Sequence, residues 1–125
     1  MVTRGLVASE SEEQQALFQW INLSSRKYPG IELAFAVPNG QLRDIRVARK
    51  LQAEGVRPGV PDIFIPVARG PWHGLFIEMK RREKARVSSE QVNYMGELIA
   101  QDYKAVLAYG WEDAKSEIEK YMSIV

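Results

Sequence analysis

The chain has no cysteine. That excludes a disulfide framework and thiolate metal sites, and it fits a reducing, cytoplasmic setting. No apolar run approaches the roughly 20 residues that span a bilayer, so membrane insertion is excluded. Residues 1–11 lack the apolar stretch of a secretory signal. There is no glycine-rich phosphate loop and no nucleophile paired with a base, which argues against a small-molecule α/β enzyme. Histidine occurs once, at His73, in a loop beside Trp72, and no role is assigned to it. Excess charge is also missing: the net charge is only +1 at pH 7.

What is present suits one domain. A length of 125 residues would leave either half of a two-domain chain short of a stable core. Residues 1–9 are expected to form a flexible N-terminus and residues 10–125 a single domain. The apolar share of 46% and the charged share of 26% are ordinary for a globular protein. The charges are segregated, however. Acidic residues crowd the first helical segment and the C-terminal one. Basic residues gather between Arg43 and Arg57 and in the run Lys80, Arg81, Arg82, Lys84, Arg86, which implies one basic face.

Periodicity orders the elements. Ser9 or Ser11 can cap a helix with Glu10, Glu12 and Glu13 in its first turn and an apolar stripe of Ala16, Leu17, Trp20 and Ile21. Residues 33–37 read as a short buried strand closed by the turn Pro38-Asn39-Gly40. A basic helical or irregular stretch follows at 42–53. The two glycines and two prolines of 55–61 exclude a helix there. Residues 62–66 and 74–80 form two strands around the loop 68–73, most simply as an antiparallel hairpin. Ser88 or Ser89 caps a helix over about 90–101, with Val92, Met95, Leu98 and Ile99 on one face. A strand at 104–109 and an amphipathic helix at 112–122 complete a mixed sheet with packed helices.

Residues two apart in a strand share a face, so Glu78 and Lys80 project together while Ile77 and Met79 face the opposite way. Antiparallel pairing would bring Asp62, at the start of its strand, close to Glu78, near the end of the next. Two carboxylates in one small space resist full ionisation unless a cation lies between them. Hard oxygen donors with open water positions suit Mg2+ or Mn2+. An ammonium beside such an ion, that of Lys80, can position water and offset negative charge developing on a phosphate. An aspartate directly after a proline at the mouth of an apolar strand is otherwise poor strand chemistry.

Pro61-Asp62 followed by Glu78-Met79-Lys80 resembles the signature of the PD-(D/E)XK nuclease superfamily. The wider pattern is similar to its virus-type replication-repair nuclease (VRR-Nuc) domain. It comprises a glutamate in the first helix, Val37-Pro38-Asn39-Gly40, Gly59-Val60-Pro61-Asp62, Ile77-Glu78-Met79-Lys80 and Ser88-Ser89-Glu90-Gln91. The resemblance implies an α/β, restriction-endonuclease-like mixed β-sheet core flanked by α-helices. It also implies that Asp62, Glu78 and the main-chain carbonyl of Met79 bind the metal, that Lys80 is the catalytic lysine and that Gln91 lines the site. For the first-helix glutamate, Glu13 is chosen because it shares a face with Leu17 and Trp20, with Glu10 and Glu12 as alternatives.

The activity implied is metal-dependent cleavage of DNA, structure-selective on branched molecules such as four-way (Holliday) junctions, by a homodimer that needs no small-molecule cofactor. A phage or mobile-element origin also follows from the resemblance. The alternative is a module that keeps the fold and binds branched DNA without cutting it. Lys80, Arg81, Arg82, Lys84 and Arg86 are candidate phosphate contacts beside the site, and Arg43 and Arg46, with Arg49 and Lys50, form a second track. Trp72 could wedge against bases or cap the hairpin, whereas Trp20 and Trp111 read as near-core.

Overall fold

The computed structural model describes residues 7–38, 44–82 and 86–125. Its elements are α1 (Glu10–Leu23), β1 (Phe35–Ala36), α2 (Ile45–Ala53), β2 (Ile63–Ile65), β3 (Leu75–Lys80), α3 (Ser89–Ala100), β4 (Lys104–Tyr109) and α4 (Trp111–Met122). The Asn39-Gly40 turn, and Arg43 and Lys84 among the candidate phosphate contacts, lie outside the described residues.

Ser9, not Ser11, caps α1. Its hydroxyl accepts the Glu12 N–H at 3.1 Å while the Glu12 carboxylate accepts the Ser9 N–H at 2.9 Å, so two otherwise unpaired helix-start donors are satisfied reciprocally. Glu13, Leu17 and Ile21, four apart, are the buried face of this helix.

The sheet order is β1-β2-β3-β4. β1 and β2 are antiparallel, as are β2 and β3, whereas β3 and β4 are parallel and therefore need the α3 crossover between them. Leu75, Ile77 and Met79 of β3 enter the core with Leu17 and Ile21 of α1 and Ala114, Ile118 and Tyr121 of α4. Each such fully buried aliphatic side chain contributes about 1.5–3 kcal/mol of burial free energy. The opposite face of β3 carries Phe76, stacked on Phe64 at 4.2 Å between ring centres, and then Glu78 and Lys80. The expected alternation along β3 is thus present, but both faces are covered at its charged end.

Two expectations need correction. The buried strand foreseen at 33–37 is only the two residues Phe35–Ala36, both exposed: Ile31–Leu33 takes a 3-10 turn instead, and β1 is an edge of the sheet. The basic stretch is helical over Ile45–Ala53, within the limits foreseen, and the Asp44 side chain accepts the Arg46 N–H and caps α2. On α3 the inward side is Gln91, Tyr94, Met95 and Leu98, all half-buried, while Val92 and Ile99 are exposed. The helix is rotated because Gln91 reaches the charged end of β3. No described helix is long and apolar enough to cross a membrane.

Candidate active site

Register places the two carboxylates. Ile63 pairs with Ile77, so Asp62, one residue earlier on β2, lies opposite Glu78, one residue later on β3. β2 begins only at Ile63, and the Met79 N–H is taken by Asp62 Oδ2 at 2.8 Å. Asp62 therefore substitutes a side-chain oxygen for a ladder acceptor, which explains an acid at the mouth of an apolar strand. The loop before it is pinned by Gly59, whose φ is +86°; a Cβ there would lie 2.6 Å from the Glu90 carbonyl oxygen. Only glycine lets this loop touch the first turn of α3.

That first turn carries Gln91. Ser88 caps α3 in a capping box, its hydroxyl accepting the Gln91 N–H at 3.1 Å and its own N–H donating to Gln91 Oε1 at 3.0 Å. Lys80 Nζ donates to the same Oε1 at 3.1 Å, and Gln91 Nε2 donates to Glu78 Oε2 at 2.7 Å. Two donors on one oxygen fix the orientation of the amide. Lys80 Nζ stands 3.6 Å from Glu78 Oε2. Asp62, Glu78, Lys80 and Gln91 thus form one connected group.

Asp62, Glu78 and Lys80 are 8%, 2% and 7% exposed. Burial, reinforced by the Asp62 charge and only partly offset by Lys80, pushes the Glu78 carboxyl up to about 8. Glu78 Oε1 is buried and receives no N–H donor, and contact with the Asp62 carboxyl, which favours the protonated form, adds to the rise at Glu78. A buried carboxylate oxygen without such a donor, on a group that resists ionisation, is a position where a cation would be stabilising, so the donor set fits a divalent ion. Among the described residues no group of three or more His, Cys, Asp or Glu side chains could hold a metal. The fit is therefore to a hard ion that keeps several waters and takes one or two carboxylates, as Mg2+ does.

The group lies in a cleft of about 1110 Å³. Glu10, Gln14 and Phe18 of α1 form one wall, Ala48 and Leu51 of α2 with Val56 and Val60 face the cleft too, and Arg57, Arg81 and Arg86 supply cations.

A family model for the VRR-NUC domain matches residues 7–112. The chain belongs to the VRR-NUC family. A solved structure described as a VRR_NUC domain protein superimposes with a TM-score of 0.77 at 29% identity, covering 94% of this chain and 90% of that one. No curated protein matches the chain. The VRR-NUC assignment makes this a nuclease-type domain, with DNA as the partner that its class suggests, on a mixed four-stranded sheet flanked by four helices.

Within this VRR-NUC domain, Glu13 is buried, as its helical face requires, but it does not line the cleft. Its Oε2 accepts from Arg82 Nε at 3.0 Å and its Oε1 from the Trp111 N–H at 3.0 Å. Glu10 is the glutamate of α1 that lines the cleft, and its charge adds to the rise at Glu78. Glu12 is committed to the helix cap. Arg82 does not line the cleft either, since its guanidinium bridges Glu13 and Glu112, the latter at 2.6 Å. Arg81 and Arg86 do line it, while Arg46 is exposed beside Asp44 at 3.5 Å. Trp20, Trp72 and Trp111 are half-buried against the core, and the Lys104 ammonium lies over the Trp72 ring. Sequence reasoning named Arg57 only as one end of a basic cluster and did not name Phe18. The signal for Phe18 was a second face of α1, at positions 10, 14 and 18.

Proposed function

We propose that this domain is a metal-dependent endonuclease that hydrolyses DNA phosphodiester bonds with Mg2+ or Mn2+, selects branched DNA such as four-way junctions, and acts as a homodimer. The observation that carries this reading is the buried Glu78 carboxylate, with one oxygen that receives no N–H donor, Asp62 opposite and Lys80 beside it.

Asp62 and Glu78 would hold the ion. The main-chain carbonyl of Met79 is a third donor by family resemblance. In a strand, a residue's N–H and C=O leave on the same edge, and the N–H of Met79 is the one bonded to Asp62. A bound divalent ion supplies a lowered water pKa and neutralises a phosphate oxygen. Lys80 offers its ammonium to the charge that builds on the phosphate during attack. Gln91 keeps that ammonium and Glu78 in register, and the burial of both side chains means that they act in a medium of lower polarity than water. Arg81, Arg86 and Arg57, which line the cleft, would contact phosphates near the scissile one. Two copies would present two such clefts to two strands, and the exposed Val92 and Ile99 of α3 offer apolar surface for the contact.

The test incubates the protein with a synthetic four-way junction and with matched linear duplex, in Mg2+, in Mn2+ and in chelator, beside Asp62→Ala and Lys80→Ala. Metal-dependent cutting of the junction, lost in both variants, is the expected result. Cutting in chelator, or undiminished cutting by both variants, removes the nuclease reading. Tight junction binding without cleavage in either metal identifies a non-cleaving binding module instead. Equal cutting of the linear duplex removes the junction preference, and a monomer by light scattering removes the dimer.

A further inference from the structure

We propose that Phe18 is a stacking platform for an unpaired nucleobase, belonging to the DNA strand whose scissile phosphate sits at Asp62, Glu78 and Lys80. This rests on the nuclease reading and adds a binding subsite to it.

The subsite follows from the α1 wall of the cleft. Glu10, Gln14 and Phe18 recur every four residues and all line it. Glu10 marks the catalytic end, since Glu13, less than one turn on, holds Arg82 just beyond Lys80. At 1.5 Å of rise per residue, Phe18 lies about 12 Å further along the helix axis, a few nucleotides away at about 3.4 Å per step along a strand. The chemistry of the wall changes on the way, from carboxylate through amide to phenyl ring.

The rest of the lining mixes apolar Leu51, Val56 and Val60 with the cations Arg57, Arg81 and Arg86. A phosphate track wants cations, and α1 contributes none to the lining: its residues there are serine, glutamate, glutamine and Phe18. A flat π face with a hydrogen-bonding edge wants an aromatic ring and a nearby amide, which is what Phe18 and, one turn earlier on the same helix face, Gln14 provide. Bases inside a duplex already have both faces covered by neighbouring bases, so only an unpaired base can use the ring. Phe18 is half-buried and packed against the core, which makes the platform stiff. The cleft volume of about 1110 Å³ holds a short strand segment.

The experiment measures equilibrium binding by fluorescence anisotropy in chelator, so that cleavage plays no part. The probes are a labelled duplex with one unpaired thymidine arm, a blunt duplex of equal length, and the armed duplex with abasic residues in place of the thymidines. Phe18→Leu keeps an apolar side chain of similar bulk without a π face, and Phe18→Tyr restores the face. Wild type is expected to bind the thymidine arm about tenfold tighter than the abasic arm, the size of one base–aromatic stack. Phe18→Leu should bring that ratio close to one, and Phe18→Tyr should recover it. An unchanged ratio in Phe18→Leu, or equal wild-type affinity for thymidine and abasic arms, overturns the inference. Thermal melting of each variant identifies a folding defect, and Phe18→Tyr then decides alone: if it is folded and shows no thymidine preference, the inference falls. Arm preference without cleavage in any metal leaves this subsite standing and removes the nuclease reading, whereas cleavage with an unchanged ratio does the reverse.

Discussion

The carboxylate of Glu13 accepts the main-chain N–H of Trp111 at 3.0 Å, across 98 residues of sequence. α4 begins after Gly110, which has no side chain to cap it, so Glu13 provides the cap from a different helix. The second oxygen of Glu13 holds Arg82, two residues beyond Lys80, and Lys80 is itself fixed by a hydrogen bond from the Gly110 N–H to its carbonyl at 2.8 Å. Glu13 therefore ties α1, the end of β3 and the start of α4 together.

Glu13→Ala is expected to lower stability by about 2 kcal/mol, from a lost cap and a lost charge-assisted bond. Arg82→Ala should cost less, because its guanidinium is half exposed. The double variant should be less damaging than the sum of the two by about 1 kcal/mol. Urea unfolding of the four proteins measures this; strict additivity would mean that the pair is not coupled.

Phosphate contacts are separable by salt. Arg81→Ala and Arg86→Ala should each reduce the slope of log affinity against log salt for duplex DNA by about 1, while Arg82→Ala leaves it unchanged because that charge is already engaged with Glu13 and Glu112. Titrations at four or five salt concentrations decide it.

Glu78 makes stability depend on pH. Its carboxyl is raised from 4.5 to about 8, so the folded state holds this proton more tightly than the unfolded chain does. The resulting stabilisation is complete below the unfolded value and is lost as pH climbs through the window up to about 8, at no more than about 1.4 kcal/mol per pH unit. In chelator, wild type should therefore melt higher at pH 5 than at pH 8.5 relative to Glu78→Gln, in which this contribution is absent. Mn2+ should raise the melting temperature of wild type at pH 8 and have little effect on Glu78→Gln. At about 100 times the Kd, the gain is about 2.7 kcal/mol. A melting temperature that ignores Mn2+ would count against an ion at this carboxylate.

Gly59→Ala should be disruptive at a distance. Both the positive φ and the contact with the Glu90 carbonyl oppose a Cβ, and backbone atoms cannot step aside as a flexible side chain can. A loss of about 2 kcal/mol is expected. Since α3 must shift, Gln91 should release Glu78 and Lys80, and cleavage should fall with it. Melting curves and cleavage rates on the same preparation check both parts; a fully active, equally stable variant would mean that loop and helix are not coupled.

Much of the architecture was legible from local pattern. The β3 strand alternates over Leu75–Lys80, which separates Ile77 and Met79 from Glu78 and Lys80, and the strand Lys104–Tyr109 was anticipated at its observed limits. Ser88 or Ser89 reads as a helix start, and the structure selects Ser88, pairs it with Gln91 and adds that the same Gln91 amide also touches Glu78 and Lys80. Positions 33–37 misled because their apolar run carries no information on whether a neighbouring strand or helix covers it, and Phe35, on the sheet edge, stays half exposed beside Phe64.

Periodicity, turn residues and the order of acids and lysine are properties of neighbouring residues, so the sequence by itself determined the α/β layout and placed Asp62, Glu78 and Lys80 at strand ends where they could meet. Which glutamate of α1 enters the cleft, where Arg82 spends its charge, and how far Glu78 resists ionisation were decided only by tertiary structure. Each of these depends on burial and on partners brought from distant parts of the chain by packing. No local pattern encodes that Glu13 will find Trp111, or that Glu78 Oε1 will be left without an N–H donor.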